Sequence, residues 1–333
     1  MAKDGHGRTI DYLRISVTDR CNLRCRYCMP EKGVKLENHD AIMTLEEIER
    51  LVYHASQRGI RRIRLTGGEP LVRLGIIDLI SSISSMEGIE AVTLTTNGIL
   101  LPRMAYDLKK AGLKRVNISL DTLDAQKFTH ITRCGNLEEV LKGIDAALET
   151  GFKPVKINTV AIRSLDQDFL QFARLTLDKP LHVRFIEFMP MGDSVQSGTW
   201  NKNESIPSEE LITHIDSLSH EAGLGKLLPI DNRSKIPGWG PARYYQLPHS
   251  EGTIGFISPL SRHFCIECNR LRVTSNGKIR PCLFADKEYH ILSALRTNDT
   301  QALNVILDEA LQAKPDMHHH RMKTARAMSQ IGG

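Results

Sequence analysis

The 333-residue sequence is poor in aromatic side chains, which make up only 5% of it. Binding of single-stranded nucleic acid relies on aromatic stacking platforms, so their scarcity argues against that function. There is little charge imbalance either: 44 Lys and Arg against 39 Asp and Glu leave a formal net charge of +5. That suits an anionic small ligand and does not call for nucleic acid. No apolar run approaches the length needed to span a bilayer. Residues 1–10 contain no apolar signal-peptide core. A cytoplasmic protein without a membrane association is therefore expected. Zinc-finger spacing with paired histidines is also missing. The rest is ordinary for a soluble protein, with 41% hydrophobic and 25% charged residues. The length allows one large domain and a smaller one. In such a compartment the seven cysteines are better read as ligands than as disulfides.

Six of them form two groups of three. The first is Cys21, Cys25 and Cys28, a C-x3-C-x2-C spacing that follows a strand expected at 13–17. Thiolates are soft ligands for iron–sulfur clusters, copper(I) and zinc. A cubane normally takes four thiolates, so three would leave one iron open, as catalytic zinc sites keep an open position. On spacing alone the cluster is favoured over a partial zinc site. Cys134 stands alone and is read as a small, buried apolar residue without a role.

From residue 13 to about 187 a β-rich run, an amphipathic helix and a glycine recur. Strand cores are expected at 13–17, 61–65, 91–95, 115–120, 155–161 and 182–188. The first helix opens with a capping box, Thr44 and Glu47. Alternating strands and helices imply parallel pairing with right-handed crossovers. The fold class expected is α/β, a partial (βα)6 TIM-like barrel or a strongly curved doubly wound sheet, with ligands at the C-terminal strand ends. Polar groups do follow each strand. Examples are Thr18-Asp19-Arg20, Gly67-Gly68-Glu69-Pro70, Thr95-Thr96-Asn97-Gly98 and Ser119 with Asp121. Gly-Gly-Glu-Pro alone would read as a turn; the shared location of these loops is what points to a site.

Beyond the sixth strand the periodicity stops. A helix capped by Ser208 is expected, then strands at 244–247 and 253–257. The second triad, Cys265, Cys268 and Cys282, spans a hairpin turning at Asn276-Gly277. Zinc, with His263 or His290 as fourth ligand, is the slightly favoured reading of this triad on spacing. Arg270 and Arg272 project from one face of the hairpin and suit phosphate or carboxylate, though alone they read as surface arginines. Helices are expected over 288–296 and 300–313. His318, His319 and His320 read as a hydrated patch. The terminal Gly332-Gly333 pair either frays or threads a narrow channel.

Taken together, the first triad with Tyr27 before its last cysteine and the Gly67-Gly68-Glu69-Pro70 loop resemble the radical S-adenosylmethionine enzymes. The second triad, the Arg270 and Arg272 pair and the glycine tail narrow the resemblance to the GTP 3′,8-cyclase family, which opens molybdenum cofactor biosynthesis. It covers residues 14–333. The resemblance implies a radical S-adenosylmethionine core over 1–223. It implies a smaller C-terminal α+β domain over 224–333 that closes the barrel mouth. Cys21, Cys25 and Cys28 would hold one 4Fe-4S cluster whose open iron takes S-adenosylmethionine. Tyr27, Gly68, Thr95, Ser119 and Met189 would line that cofactor's site. Cys265, Cys268 and Cys282 would hold a second 4Fe-4S cluster that meets guanine, which overrides the zinc reading. Arg14, Arg64, Lys156, Arg184, Arg270 and Arg272 would bind GTP. Arg14, Arg270, Arg272, Gly332 and Gly333 would support catalysis. Implied partners are GTP, a reductant such as flavodoxin, the downstream cyclic pyranopterin monophosphate synthase through its substrate, and a second copy in a homodimer. The rival readings are another radical enzyme with an auxiliary cluster, a non-enzymatic zinc protein and a catalytically retired scaffold.

Overall fold

The computed structural model describes residues 2–191, 200–230, 238–317 and 326–332. His318, His319, His320 and Gly333 lie outside them. Six strands carry the barrel: β1 (Tyr12–Ser16), β2 (Arg62–Thr66), β3 (Ala91–Thr96), β4 (Arg115–Ser119), β5 (Val155–Ala161) and β6 (Leu181–Glu187). Each pairs in parallel with the next. Helices α1 (Leu45–Gln57), α2 (Ile76–Ser85), α3 (Leu101–Lys110), α4 (Ala125–Thr132), α5 (Leu137–Glu149) and α6 (Phe169–Asp178) fill the crossovers. The capping box of α1 forms as expected. Glu47 N donates to Thr44 Oγ1 at 3.2 Å, and Thr44 N donates to Glu47 Oε2 at 2.8 Å.

Strand alternation explains why the barrel is hollow. On β4, Val116 and Ile118 are fully buried against the helices, while Arg115, Asn117 and Ser119 face the interior cavity. Successive side chains point to opposite faces, so one face is apolar and the other polar. Barrel interiors of this class are usually packed with branched side chains. Here Arg14, Arg64, Lys156 and Arg184 occupy inward positions instead, and a cavity of about 350 Å³ remains.

The C-terminal part joins the barrel through the sheet itself. Strands β7 (Leu228–Pro229), β8 (Arg243–Gln246) and β9 (Thr253–Ile257) continue one edge, with β9 parallel to β6. Strands β10 (Arg270–Val273), β11 (Lys278–Arg280) and β12 (Tyr289–His290) continue the other, with β10 parallel to β1. The order is β12-β11-β10-β1-β2-β3-β4-β5-β6-β9-β8-β7.

Two local expectations fail. Ser208 is the first residue of helix α7 (Ser208–Glu221) and Pro207 is its cap. The Ser208 hydroxyl accepts instead from Ser258 Oγ at 2.7 Å, and its backbone N–H donates to Glu187 at 2.8 Å. The helix expected over 288–296 shrinks to α8 (Leu292–Arg296). Glu288 is tied to Arg280 and Arg326, and Tyr289 and His290 pair with β11. Helix α9 (Thr300–Gln312) forms close to its expected span.

Candidate active site

The two cysteine triads, more than 230 residues apart in sequence, open onto one cavity. Cys21, Cys25, Cys28, Cys265, Cys268 and Cys282 all line it. So do Tyr27, Gly68, Thr95, Ser119 and Met189, and so do Arg14, Arg64, Lys156, Arg184, Arg270 and Arg272. All seven cysteines are free thiols; Cys134 is exposed and does not line the cavity. Among the described residues no three His, Cys, Asp or Glu side chains group closely enough for a single metal ion. A cubane, larger than an ion, needs no such convergence. His263 Nδ1 lies 3.0 Å from the Pro259 carbonyl, and His290 is on the exposed edge strand. Neither histidine lines the cavity.

The first triad sits on the loop after β1, held by its neighbours. The two glycines of the β2 loop permit a very close approach. A β-carbon on Gly68 would fall 2.3 Å from the Arg20 carbonyl oxygen, and Glu69 N donates to that same carbonyl at 2.8 Å. The glycines thus make their close contact with the cysteine loop's own backbone. Glu69 then reaches on to the next strand's loop. Its carboxylate accepts from Leu71 N at 3.0 Å, Thr96 Oγ1 at 2.7 Å and Asn97 N at 2.7 Å. Burial pushes its pKa up to about 7, against the pull of those donors. Tyr27 OH donates to Asp121 Oδ2 at 2.6 Å, tying the loop to the end of β4. Burial pushes Asp121 up to about 6. The thiols of this triad move the same way: burial raises Cys21 to about 11 and Cys28 to about 12, and raises Cys25 well above its ordinary value.

The second triad has a different neighbour, one that sequence reasoning missed. Lys314, buried in a segment after α9, donates to Cys268 Sγ at 3.3 Å, to the Arg270 carbonyl at 2.9 Å and to the Pro281 carbonyl at 3.0 Å. All three ammonium donors are used, and they join the Cys268 arm of the hairpin to the chain entering Cys282. Burial opposes the thiolate of Cys268, but the charges of Lys314 and Arg270 prevail and bring it down to about 7. A lone lysine 32 residues beyond the last cysteine gave no signal in the sequence.

Between the triads lies a cationic wall. The sheet register sets Arg272 beside Arg14 and Arg14 beside Arg64. With its amide oxygen turned toward the guanidinium groups, Asn117 accepts from Arg184 Nη2 at 3.0 Å and from Arg64. Burial, then the neighbouring arginines, lowers Arg14 well below its ordinary value. The same causes bring Arg272 to about 10 and Lys156 to about 6. The carboxylates that line the cavity are engaged elsewhere: Glu69 and Asp121 as above, and Glu187 by Ser208, Leu260 and Ser261. Groups packed at such mutual cost mark a binding site for an anion.

The described part of the tail, residues 326–332, packs onto the site. Helix α10 (Met328–Ile331) is short, and Met328 and Ser329 line the cavity. Arg326 pairs with Glu288 at 2.7 Å upstream of it. Gly332, at φ +73°, is not in the cavity lining but packs against Ser16 and Thr66. Its carbonyl accepts from Arg272 Nη1 at 2.8 Å.

Comparisons with known proteins show the family. Residues 15–176 match the radical SAM superfamily, and residues 181–320 match the Molybdenum Cofactor Synthesis C family. The chain is 49% identical over 334 residues to a GTP 3′,8-cyclase of Desulforamulus reducens, covering 99% of both chains. It is 49% identical to one of Pelotomaculum thermopropionicum, covering 99% of this chain and 100% of the relative. Among solved structures, Streptococcus suis SuiB bound to S-adenosylmethionine shares the fold, with a TM-score of 0.59 and 15% identity over 90% of this chain and 68% of that one. Among the described residues no helix is long and apolar enough to cross a membrane. On sequence identity over its whole length, the chain belongs to the GTP 3′,8-cyclase family of radical S-adenosylmethionine enzymes.

Proposed function

We propose that this protein converts GTP to (8S)-3′,8-cyclo-7,8-dihydroguanosine 5′-triphosphate, the first step of molybdenum cofactor biosynthesis. The observation that carries the reading is the meeting of two three-thiol sets and a row of cationic side chains in one cavity. The thiols fit iron–sulfur clusters: Cys21, Cys25 and Cys28 for one, Cys265, Cys268 and Cys282 for the other. When bound, the first cluster and S-adenosylmethionine supply a carbon radical able to remove hydrogen from the ribose 3′ carbon.

The chain's own residues then do the selecting. A carbon radical takes hydrogen from almost any nearby C–H bond, so the target must be held in place and competitors kept out. Arg14, Arg64, Lys156 and Arg184 hold the triphosphate, whose roughly four negative charges match their excess of positive charge. Tyr27, Gly68, Thr95, Ser119 and Met189 line the S-adenosylmethionine side. Arg270 and Arg272 lie on the strand that follows Cys268 and can reach the nucleotide beside the second cluster. Gly332 orients Arg272 through its carbonyl. In this reading residues 1–223 form the radical core and 224–333 the part that carries the second cluster. The protein works in the cytoplasm as a homodimer. It takes electrons from a reductant such as flavodoxin and passes its product to cyclic pyranopterin monophosphate synthase.

The test is anaerobic turnover of GTP by protein reconstituted with iron and sulfide, with the product identified by mass and iron counted in parallel. Formation of the cyclised nucleotide by protein holding about two cubanes' worth of iron is expected. Full activity with one cubane's worth would remove the second cluster from the reading.

A further inference from the structure

We propose that Arg115, backed by the indole of Trp239, is a specificity-determining contact for the terminal phosphate of the nucleotide. The proposal rests on the reading of GTP as substrate and extends it to how the number of phosphates is recognised.

The sheet register carries the first part of the argument. Arg272, Arg14 and Arg64 pair laterally across β10, β1 and β2, Arg64 pairs with Thr93 on β3, and Thr93 pairs with Arg115 on β4. One row across five adjacent strands thus carries four arginines, all lining the cavity. Arg115 is the only one of the four outside the binding set that the family resemblance implies. Along β4 the inward face reads Ser119, Asn117, Arg115. Each two-residue step is about 6.6 Å, so Arg115 lies two steps from the S-adenosylmethionine end. A nucleotide with its ribose near Ser119 and its phosphates along that line brings the terminal phosphate to Arg115.

Its surroundings supply the second part. The Arg115 guanidinium lies 3.8 Å from the Trp239 ring centroid, and Arg62 lies 4.5 Å from the same ring. Arg62 is neutralised by Asp11 at 2.6 Å and by Glu90 at 3.5 Å. Arg115, half-buried, has no hydrogen-bond acceptor among the described residues. A guanidinium held over an indole loses little freedom when its N–H groups bind an oxyanion. Tyr12 meets the other side of this cluster edge-on, with ring centroids 6.3 Å apart. Gly238, next to Trp239, lies beside Lys156 at φ +154°, a backbone conformation that L side chains rarely adopt. Trp239 therefore forms a floor that limits how deep the phosphates reach, and Arg115 reads whether one arrives.

The experiment is anaerobic equilibrium dialysis of GTP, GDP and GMP against the enzyme with its clusters reconstituted. Arg115→Met should weaken GTP about 10-fold, the size of one hydrogen bond to a charged group, and GDP and GMP by less than about 2-fold. Arg115→Lys should restore part of the difference, and Trp239→Leu should reproduce the pattern more weakly. Iron content equal to wild type in Arg115→Lys establishes that the fold is intact. Equal losses for GTP and GDP, or none for either, would overturn the proposal. A wild-type enzyme that binds GTP and GDP alike, but not guanosine, would overturn it while leaving the substrate reading standing. Failure of the wild-type enzyme to bind GTP at all would remove that reading too.

Discussion

The two cysteine triads present the same number of thiols to the same cavity from opposite electrostatic surroundings. Around Cys21, Cys25 and Cys28 the charged neighbours are mostly acids and other thiols, and burial holds every thiol proton on. Around Cys268 the neighbours are Lys314 and Arg270, and the thiolate is within reach of neutral pH despite burial. The lesson is that ligand count does not define a cluster site. One side of the cavity carries the carboxylates Glu69 and Asp121, the other the cations Arg270, Arg272 and Lys314. Lys314, together with Arg270, eases the ionisation of Cys268.

The sharpest way to break this comparison is to remove one thiol from each triad. Cys25→Ala should abolish cleavage of S-adenosylmethionine. Cys268→Ala should retain some uncoupled cleavage and lose cyclisation, read as deoxyadenosine formed without cyclic nucleotide. If both variants lose cleavage alike, the two triads do not divide the work. Next in size is the tail, which lies between them. Deleting Gly332 and Gly333 removes the acceptor of Arg272 and should cripple cyclisation with iron content and Tm unchanged. Turnover at the wild-type rate would show that the tail only packs.

Smaller effects test the cationic side. Arg64→Ala should weaken GTP by about 1.5–3 kcal/mol, as for a hydrogen bond to a charged group, and guanosine by much less. Equal losses would mean that Arg64 does not meet the phosphates. Cluster-free protein offers a direct reading of the two surroundings, because the thiolate is the reactive species. Under anaerobic alkylation followed by peptide mapping, Cys268 should gain reactivity through about pH 7, while Cys21 and Cys28 stay slow until strongly alkaline pH. Lys314→Met should move the Cys268 profile to higher pH; an unmoved profile would deny Lys314 its influence.

The smallest effect is a proton. Lys156 is brought down to about 6 by burial and by Arg184, Arg115 and Arg64, so at pH 7 to 8 it is mostly neutral in the ligand-free protein. Bound phosphates favour its charged form, so GTP binding should take up close to one proton there and less below pH 6, where the amine is already charged. Calorimetry in buffers of different ionisation enthalpy measures this, and Lys156→Met should remove it.

Much of the fold was legible in advance because periodicity is a local property. The expected strand cores at 91–95, 115–120 and 155–161 match β3, β4 and β5 to within a residue, since alternation marks a sheet with one apolar face. The Thr44 and Glu47 box starts α1 because it involves only four consecutive residues. Residues 288–296 were misread because their fate depends on partners far along the chain. Glu288 is held by Arg326, and Tyr289 completes a sheet edge.

The site divides in the same way. By itself the sequence determined the ligand types, the two triads, the strand-end loops and the arginine pair, because these are matters of residue identity and short spacing. Only the tertiary structure decided which charges meet. Parallel pairing of β10 with β1 brings Arg272 beside Arg14. The path of the chain after α9 carries Lys314 to Cys268. A loop between β7 and β8 lays Trp239 against Arg115. Each of these contacts joins residues tens to hundreds of positions apart, and their energies depend on separation and burial that no spacing in the sequence encodes.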